Sequence, residues 1–292
     1  MISKVIIPIA GLGTRMLPAS KAIPKEMFPV FKKPIIQYVV EEALEAGLRE
    51  IIFITHSSKY SVENHFDKNF ELETTLQQKI KRSLIYEIKE ITKSNPLIYS
   101  VRQGEPRGLG HAIYCAKSIV GDEDFAVMLP DMLFENSLNK KNFVKMKKDF
   151  DKNHISSLLI SQVDKKDINK YGIVKLKNKK LINDKNILEN IVEKPSLKNA
   201  PSNFFASGRY IFKNSFFRYL KKIKPDKSGE IQLTPAIKNF INNGNRIDTL
   251  TSSGNVYDCG DRLGYLKAVV DFSLQDPSVR KDFKLFIKKR FK

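Results

Sequence analysis

The chain has 292 residues, 41% of them apolar and 10% aromatic, the balance of a folded soluble protein and not of a disordered one. A formal charge of +19 raises nucleic acid as a partner, yet the lysines are spread through Lys145-Met146-Lys147-Lys148, Lys165-Lys166 and Lys221-Lys222, which reads as solvated surface with no nucleic acid expected. No apolar run approaches the ~18 residues of a membrane span, no signal-peptide pattern is present, and Cys115, Cys259 and the four histidines show no metal spacing, so a cytoplasmic protein without membrane contact is expected.

The first predicted element is the apolar run Val5 to Ile9, a strand that feeds Ala10-Gly11-Leu12-Gly13-Thr14-Arg15. Glycines let backbone N–H groups approach an anion with no Cβ in the way. Arg15, Lys21 and Lys25 add positive charge to the same connection, while Pro18, Pro24 and Pro29 stiffen it. The pattern is a polyphosphate grip. It is neither a dinucleotide fingerprint, since Met16 stands at the third glycine position, nor a P-loop.

Pro34 then stands at a first helical position, with Ile36, Val39, Val40, Ala43 and Leu44 on one helical face and Gly47 past the end. Ile51 to Thr55 predicts a buried strand, Ser58 to Thr92 a polar helical region and Leu97 to Arg102 another strand. A helix starts near Leu109, and Phe125 to Leu129 is a further apolar strand. This alternation predicts an α/β fold with a mainly parallel, mixed central sheet flanked by helices.

Beyond about residue 135 short strands follow one another: Ser157 to Ile160, Gly172 to Val174, Ile187 to Val192 and Phe204 to Phe212. Thr234 is expected to cap a helix carrying Pro235 in its first turn. The tail, Arg280 to Lys292, spaces Phe283, Phe286 and Ile287 among cations, an amphipathic helix expected to dock on its own domain.

Four further segments carry candidate chemistry. Gln103, in a strand-to-helix turn with Gly104, Gly108 and Gly110, offers one amide donor group and one acceptor, which match the O4 and N3–H edge of uracil or thymine; read alone, it is as readily a loop brace. Asp131 ends an apolar strand, where it is placed either to hold Mg²⁺ or to cap a turn. Asp258 is a second carboxylate of that kind. Glu193-Lys194 suits a phosphorylated sugar, and Gly172 leaves backbone open to a flat sugar face.

Taken together, A-G-L-G-T-R-M-L-P-A-S-K-A-I-P-K-E-M, T-H-S-S-K, G-L-G-H-A-I, L-P-D, Y-G-I-V, V-E-K-P, G-R-Y, G-E-I-Q-L-T-P-A-I and D-C-G-D-R-L-G-Y resemble the bacterial UTP–glucose-1-phosphate uridylyltransferases, within the sugar nucleotidyltransferase family, in order over nearly the whole chain. The resemblance implies a Rossmann-like nucleotide-diphospho-sugar transferase fold. It also implies synthesis of UDP-glucose and pyrophosphate from UTP and glucose 1-phosphate with Mg²⁺, in a homo-oligomer (dimer or tetramer). The change of texture near residue 135, with no linker, divides the chain into residues 1–135 and 136–292 fused into one domain, which the resemblance makes the nucleotide-binding and sugar-phosphate-binding halves.

Carried over residue by residue, Ala10, Gly11, Gly13, Thr14, Glu26, Gln103 and Gly108 would hold the nucleotide, and Arg15, Lys25 and Lys194 would be catalytic. Gly172, Glu193 and Lys194 would bind the sugar phosphate, and Asp131 with Asp258 the metal. Asp261-Arg262 and Arg107 depart from the family pattern without replacing any of these site residues. A sister enzyme using dTTP or another hexose phosphate, and a non-catalytic regulatory paralogue, are the rival readings.

Overall fold

The computed structural model describes residues 2–78, 96–135, 141–178 and 180–291. Strand β1 (Lys4–Pro8) opens into three short 3-10 turns (Thr14–Met16, Ala19–Lys21 and Lys25–Met27), then the small hairpin of β2 (Pro29–Val30) and β3 (Lys33–Pro34). Helix α1 (Ile35–Glu45), β4 (Glu50–Thr55), α2 (Tyr60–Phe66) and α3 (Phe70–Gln78) follow. Pro34 is the N-cap residue of α1, so the helix starts at Ile35, one position after the expected first helical residue. The rest of the predicted polar helical region, 79–95, lies outside the described residues.

Next come β5 (Leu97–Arg102), α4 (Leu109–Cys115), α5 (Lys117–Val120), β6 (Phe125–Met128) and β7 (Met132–Phe134). The second half holds α6 (Asn142–Asn153), β8 (Ser156–Gln162), β9 (Gly172–Leu176), β10 (Lys185–Glu193), β11 (Phe204–Phe212), α7 (Phe217–Lys221) and α8 (Leu233–Asn242). It ends with β12 (Ile247–Thr251), β13 (Val256–Asp258), α9 (Arg262–Gln275) and α10 (Arg280–Arg290).

Nine strands form one sheet in the order β5-β4-β1-β6-β11-β8-β12-β10-β9. The joins β5–β4, β4–β1 and β1–β6 are parallel, as βα crossovers require. Past β6 the joins are antiparallel except β8–β12. A single sheet thus runs through both halves of the sequence, joined where β6 pairs with β11.

Period-two alternation distributes each strand between two cores. Val5 and Ile7 face Ile36, Val39 and Val40 of α1, while Ile6 faces Ala112 and Ile113 of α4 on the other side. Both layers are sealed by large apolar side chains, so β1 and β6 are held rigidly in the middle of the sheet.

One local expectation gives way, and another holds in part. Helix α8 starts at Leu233 after Gln232, with no side-chain cap; the Thr234 hydroxyl instead donates to Glu193 Oε2 at 2.5 Å. A half-buried carboxylate takes that hydroxyl, since hydrogen bonds to charged acceptors are the stronger ones. The tail helix α10 turns only Phe283 and Ile287 partly inward and leaves Leu285, Phe286 and Phe291 exposed. It packs along α9 rather than against the core. Among the described residues, no helix is long and apolar enough to cross a membrane.

Candidate functional site

Strands β1 and β6 are parallel neighbours, with Val5 opposite Ala126 and Ile6 opposite Val127. The glycine loop and Leu129-Pro130-Asp131 therefore leave the sheet at the same edge, beyond the carboxyl ends of the strands. A cavity of about 540 Å³ opens there, and its walls include Ala10, Gly11, Gly13, Thr14, Arg15, Lys25, Glu26, Gln103, Gly108 and Asp131. Segments more than 200 residues apart in sequence, from Pro8 to Gln232, meet in it.

Asp131 and Asp258 are brought together by the β7–β13 pair, in which Asp258 lies opposite Met132 and the Cys259 N–H donates to the Asp131 carbonyl at 2.7 Å. Lys25 Nζ lies 2.5 Å from Asp131 Oδ2. Burial opposes ionisation of both, but each charge outweighs it for the other. The Asp131 carboxyl is held below its ordinary range and the Lys25 ammonium above its own. Arg15 Nη1 lies 3.5 Å from Asp258 Oδ2, and the Tyr171 hydroxyl donates to the same oxygen at 3.1 Å. Burial and the like charge of Asp131 nevertheless lift the Asp258 carboxyl above its ordinary value. Two carboxylates and two cations thus share one small space with unequal proton affinity.

Gly260 marks the centre of that space. A Cβ there would fall 2.8 Å from Asp131 Oδ2, 2.9 Å from Arg15 Nη2 and 3.0 Å from Asp258 Oδ1. The gap suits a cation that takes one or two carboxylates and fills its remaining positions with water and phosphate oxygens, as Mg²⁺ does. Among the described residues, no group of three or more His, Cys, Asp or Glu side chains converges, so a protein-only metal cage is not formed. Gly11 is different in kind: a Cβ on it would meet nothing within 4 Å, so internal packing does not demand glycine at that position.

The sugar-phosphate candidates stand on a neighbouring wall, outside the first cavity. Gly172 and Glu193 are directly paired across β9 and β10. Lys194 adopts a positive φ of 41°, its N–H donating to the Tyr171 carbonyl at 3.0 Å, and its ammonium remains solvent-exposed, 3.8 Å from Glu193 Oε1. A strained backbone held by its neighbours is a common way to aim a side chain at a ligand. Tyr171 bridges the two groups, touching Asp258 with its hydroxyl and Lys194 with its carbonyl.

Glu26 is almost wholly buried, receiving Lys59 Nζ at 2.8 Å on Oε2, while its Oε1 has no partner. Gln103 corrects the expectation of a two-sided base reader. Its Nε2 donates to the Gly108 carbonyl at 3.2 Å and contacts His111 Nδ1 at 3.0 Å, so both amide hydrogens are spent inside the protein.

Sequence reasoning missed Lys59, Tyr171, Thr234 and Arg209 as parts of this arrangement. Lys59 and Arg209 do stand in the quoted motifs T-H-S-S-K and G-R-Y, which was the available signal. Glu230 and Gln232, from G-E-I-Q, also line the first cavity.

Residues 4–273 match the nucleotidyl transferase family model. The UTP–glucose-1-phosphate uridylyltransferase of Haemophilus influenzae is 43% identical over 289 residues, 98% of this chain and 98% of that one. Its counterpart in Escherichia coli K12 is 42% identical over 290 residues, 98% and 95% of the two chains. Among solved structures, a UTP-bound UGPase from Acinetobacter baumannii is similar with a TM-score of 0.90 at 43% identity, covering 98% of this chain and 99% of that one. A UDP-glucose pyrophosphorylase complexed with UDP-glucose gives a TM-score of 0.84 at 35% identity over 94% and 100%.

Proposed function

The chain belongs to the nucleotidyl transferase family, and on that premise we propose that it transfers the uridylyl group of UTP to glucose 1-phosphate, giving UDP-glucose and pyrophosphate. One observation carries the reading beyond fold: Arg15, Lys25, Asp131 and Asp258 converge around the gap at Gly260, at the mouth of a cavity of about 540 Å³ lined by the glycine loop. That is an arrangement for bringing two phosphates together.

A sugar phosphate is anionic at neutral pH, so its oxygen needs no general base to act as a nucleophile. The catalytic task is to hold two anions in line and stabilise the charge that develops as the bond from the α-phosphorus to the leaving oxygen breaks. Glucose 1-phosphate oxygen attacks the α-phosphorus, the α–β bridging bond breaks, and its electron pair leaves on pyrophosphate. Arg15 neutralises that departing charge, and Lys25, already neutralising Asp131, faces the triphosphate. Lys194, pre-aimed by its backbone, orients the attacking phosphate, and Glu193 accepts from sugar hydroxyls.

The site also fits Mg²⁺, held by Asp131 and Asp258; when bound it would supply positive charge to the phosphates in the gap that Gly260 leaves. The test is pyrophosphate release with a panel of nucleoside triphosphates and sugar 1-phosphates, with and without Mg²⁺. Efficient release confined to UTP and glucose 1-phosphate supports the reading, and release with another pair replaces it. Two coarser proposals accompany it: free thiols at Cys115 and Cys259 support a reducing, cytoplasmic setting, and the family resemblance supports a homo-oligomer, to be read by light scattering.

A further inference from the structure

Gln103 meets the nucleotide cavity with only one of its two polar ends. Its backbone N–H is fixed to the Thr55 carbonyl at 3.0 Å, at the end of β4, and the side chain is buried at 4% exposure. One Nε2 hydrogen goes to the Gly108 carbonyl, which also accepts the Ala112 N–H at 3.1 Å. The other points to His111 Nδ1, at 3.0 Å. An amide nitrogen can only donate, so His111 Nδ1 must be the acceptor and its hydrogen must reside on Nε2. Cys115 Sγ lies 3.9 Å from Nε2 and 4.0 Å from Nδ1, so it favours neither nitrogen. Oε1 has no hydrogen-bond partner among the described residues, and it is the end left for the cavity that Gln103 lines.

Few charged groups act on His111. Burial and the Arg107 guanidinium lower its proton affinity, and Glu105 acts in the opposite sense. His111 itself is not part of the cavity wall.

We propose that His111 is a specificity-determining positioning residue: its bare Nδ1 locks the Gln103 amide so that only a carbonyl oxygen faces the base, admitting a base with a ring N–H and excluding cytosine. Uracil and thymine carry a hydrogen on N3 and can donate to Oε1. Cytosine carries a lone pair on N3, and two acceptors would face one another with a buried group left unpaired. A site built this way rejects the wrong partner more strongly than it favours the right one. Without His111 only the Gly108 carbonyl holds the amide, so it turns more readily, and when turned it presents Nε2 to the cavity, where it can donate to cytosine N3. The 5-methyl group of thymine lies away from this contact, so Gln103 does not separate UTP from dTTP.

The inference rests on the uridylyl-transfer reading, and the experiment separates the two. Pyrophosphate release is measured with UTP and with CTP at saturating glucose 1-phosphate for the wild type, His111→Phe and His111→Asn, with the thermal midpoint of each. Phenylalanine keeps the ring but has no acceptor; asparagine can place Oδ1 near the position of Nδ1. The wild type prefers UTP. In His111→Phe the UTP-to-CTP ratio of kcat/KM falls by about tenfold or more, the scale of one hydrogen bond exchanged for an unpaired group. The change lies mainly in KM, and His111→Asn restores the ratio. Independently of any variant, ¹⁵N NMR of the wild-type imidazoles shows His111 with Nδ1 unprotonated.

A folded His111→Phe with an unchanged ratio overturns the proposal, as does a hydrogen found on Nδ1. Should His111→Phe fail to fold, the NMR tautomer and the His111→Asn ratio decide. Wild-type turnover with no preference for UTP over CTP overturns the positioning role and leaves nucleotidyl transfer standing. No turnover with any nucleotide overturns the transferase reading, and this proposal with it.

Discussion

Arg209 and Glu42 form a paired contact across the core: Nη2 lies 2.7 Å from Oε2, and Nε lies 3.1 Å and 3.2 Å from the two carboxylate oxygens. The guanidinium is fully buried, and its remaining hydrogens go to the carbonyls of Leu129 at 3.0 Å, Met132 at 2.9 Å and Gly208 at 3.1 Å. Leu129 and Met132 bracket Pro130-Asp131, so this one side chain holds the turn that presents Asp131. Lysine cannot reproduce a planar fork with five donors. Arg209→Lys is expected to cost about 2–4 kcal/mol, the range for breaking a buried paired charge and stranding carbonyls. Denaturant unfolding measures it, and Glu42→Gln, which keeps a polar partner at a less buried position, should cost less.

Arg15 is half exposed and reaches Asp258 at only 3.5 Å, which makes it a poor stabilising contact. Its placement at the Gly260 gap makes it a good one for charge that appears only during reaction. Arg15→Ala should lower kcat by about 10²–10³-fold, the usual scale for losing one preorganised donor. Unfolding midpoints should be nearly unchanged, and so should the KM for glucose 1-phosphate. Steady-state kinetics beside thermal melts would check both halves of this expectation.

How much of this was legible in the sequence follows from what each signal depends on. The strands β5 and β11 and the start of α4 were readable because apolar runs and glycine punctuation are local properties. The glycine loop and Asp131 announced themselves for the same reason: each sits at the end of such a run. Arg209, Lys59 and Thr234 did not, because their partners Glu42, Glu26 and Glu193 lie 167, 33 and 41 residues away and no period or cap links them. Thr234 shows the hazard most clearly. Its sequence context is that of a helix cap, and a distant carboxylate decided otherwise. Gln103 was half legible: the residue type offered both a donor and an acceptor, and only the fold shows which is already used.

Gly11 separates a packing glycine from a ligand glycine. Since a Cβ at this position would meet nothing within 4 Å, Gly11→Ala should leave stability within about 1 kcal/mol of the parent. If the nucleotide comes up against this backbone, the added methyl will obstruct it. UTP binding should weaken by about tenfold or more, measured by isothermal titration. Unaltered UTP affinity in a folded variant would remove Gly11 from the nucleotide contact.

Asp131 is held ionised by Lys25, 2.5 Å away, and so is available to a cation at any physiological pH. Asp131→Asn removes the charge and keeps the shape. The expected outcome is a Mg²⁺ titration of activity displaced to much higher concentration, and chelation of the wild type should abolish turnover reversibly. An unchanged metal titration in the variant would dissociate Asp131 from the cation.

Asp258 carries the opposite sign, and the difference yields a pH prediction. Its folded proton affinity is raised above the ordinary value of 3.8 by burial and by Asp131, so ionising it costs more in the folded chain than in the unfolded one. Between 3.8 and the raised folded value the native state binds more protons, and stability therefore falls as pH rises through that window. Above it, the loss is complete and constant. In chelator at neutral pH, Asp258→Asn should melt at a higher temperature than the parent. The gap should close as the buffer is acidified through the window, because the parent then carries a neutral carboxyl too. With Mg²⁺ added, the parent should gain stability by mass action while the variant gains less, so the order of melting temperatures narrows or reverses. Such trading of stability for a charged cleft is expected where two like charges are kept apart for a third, opposite one to join them.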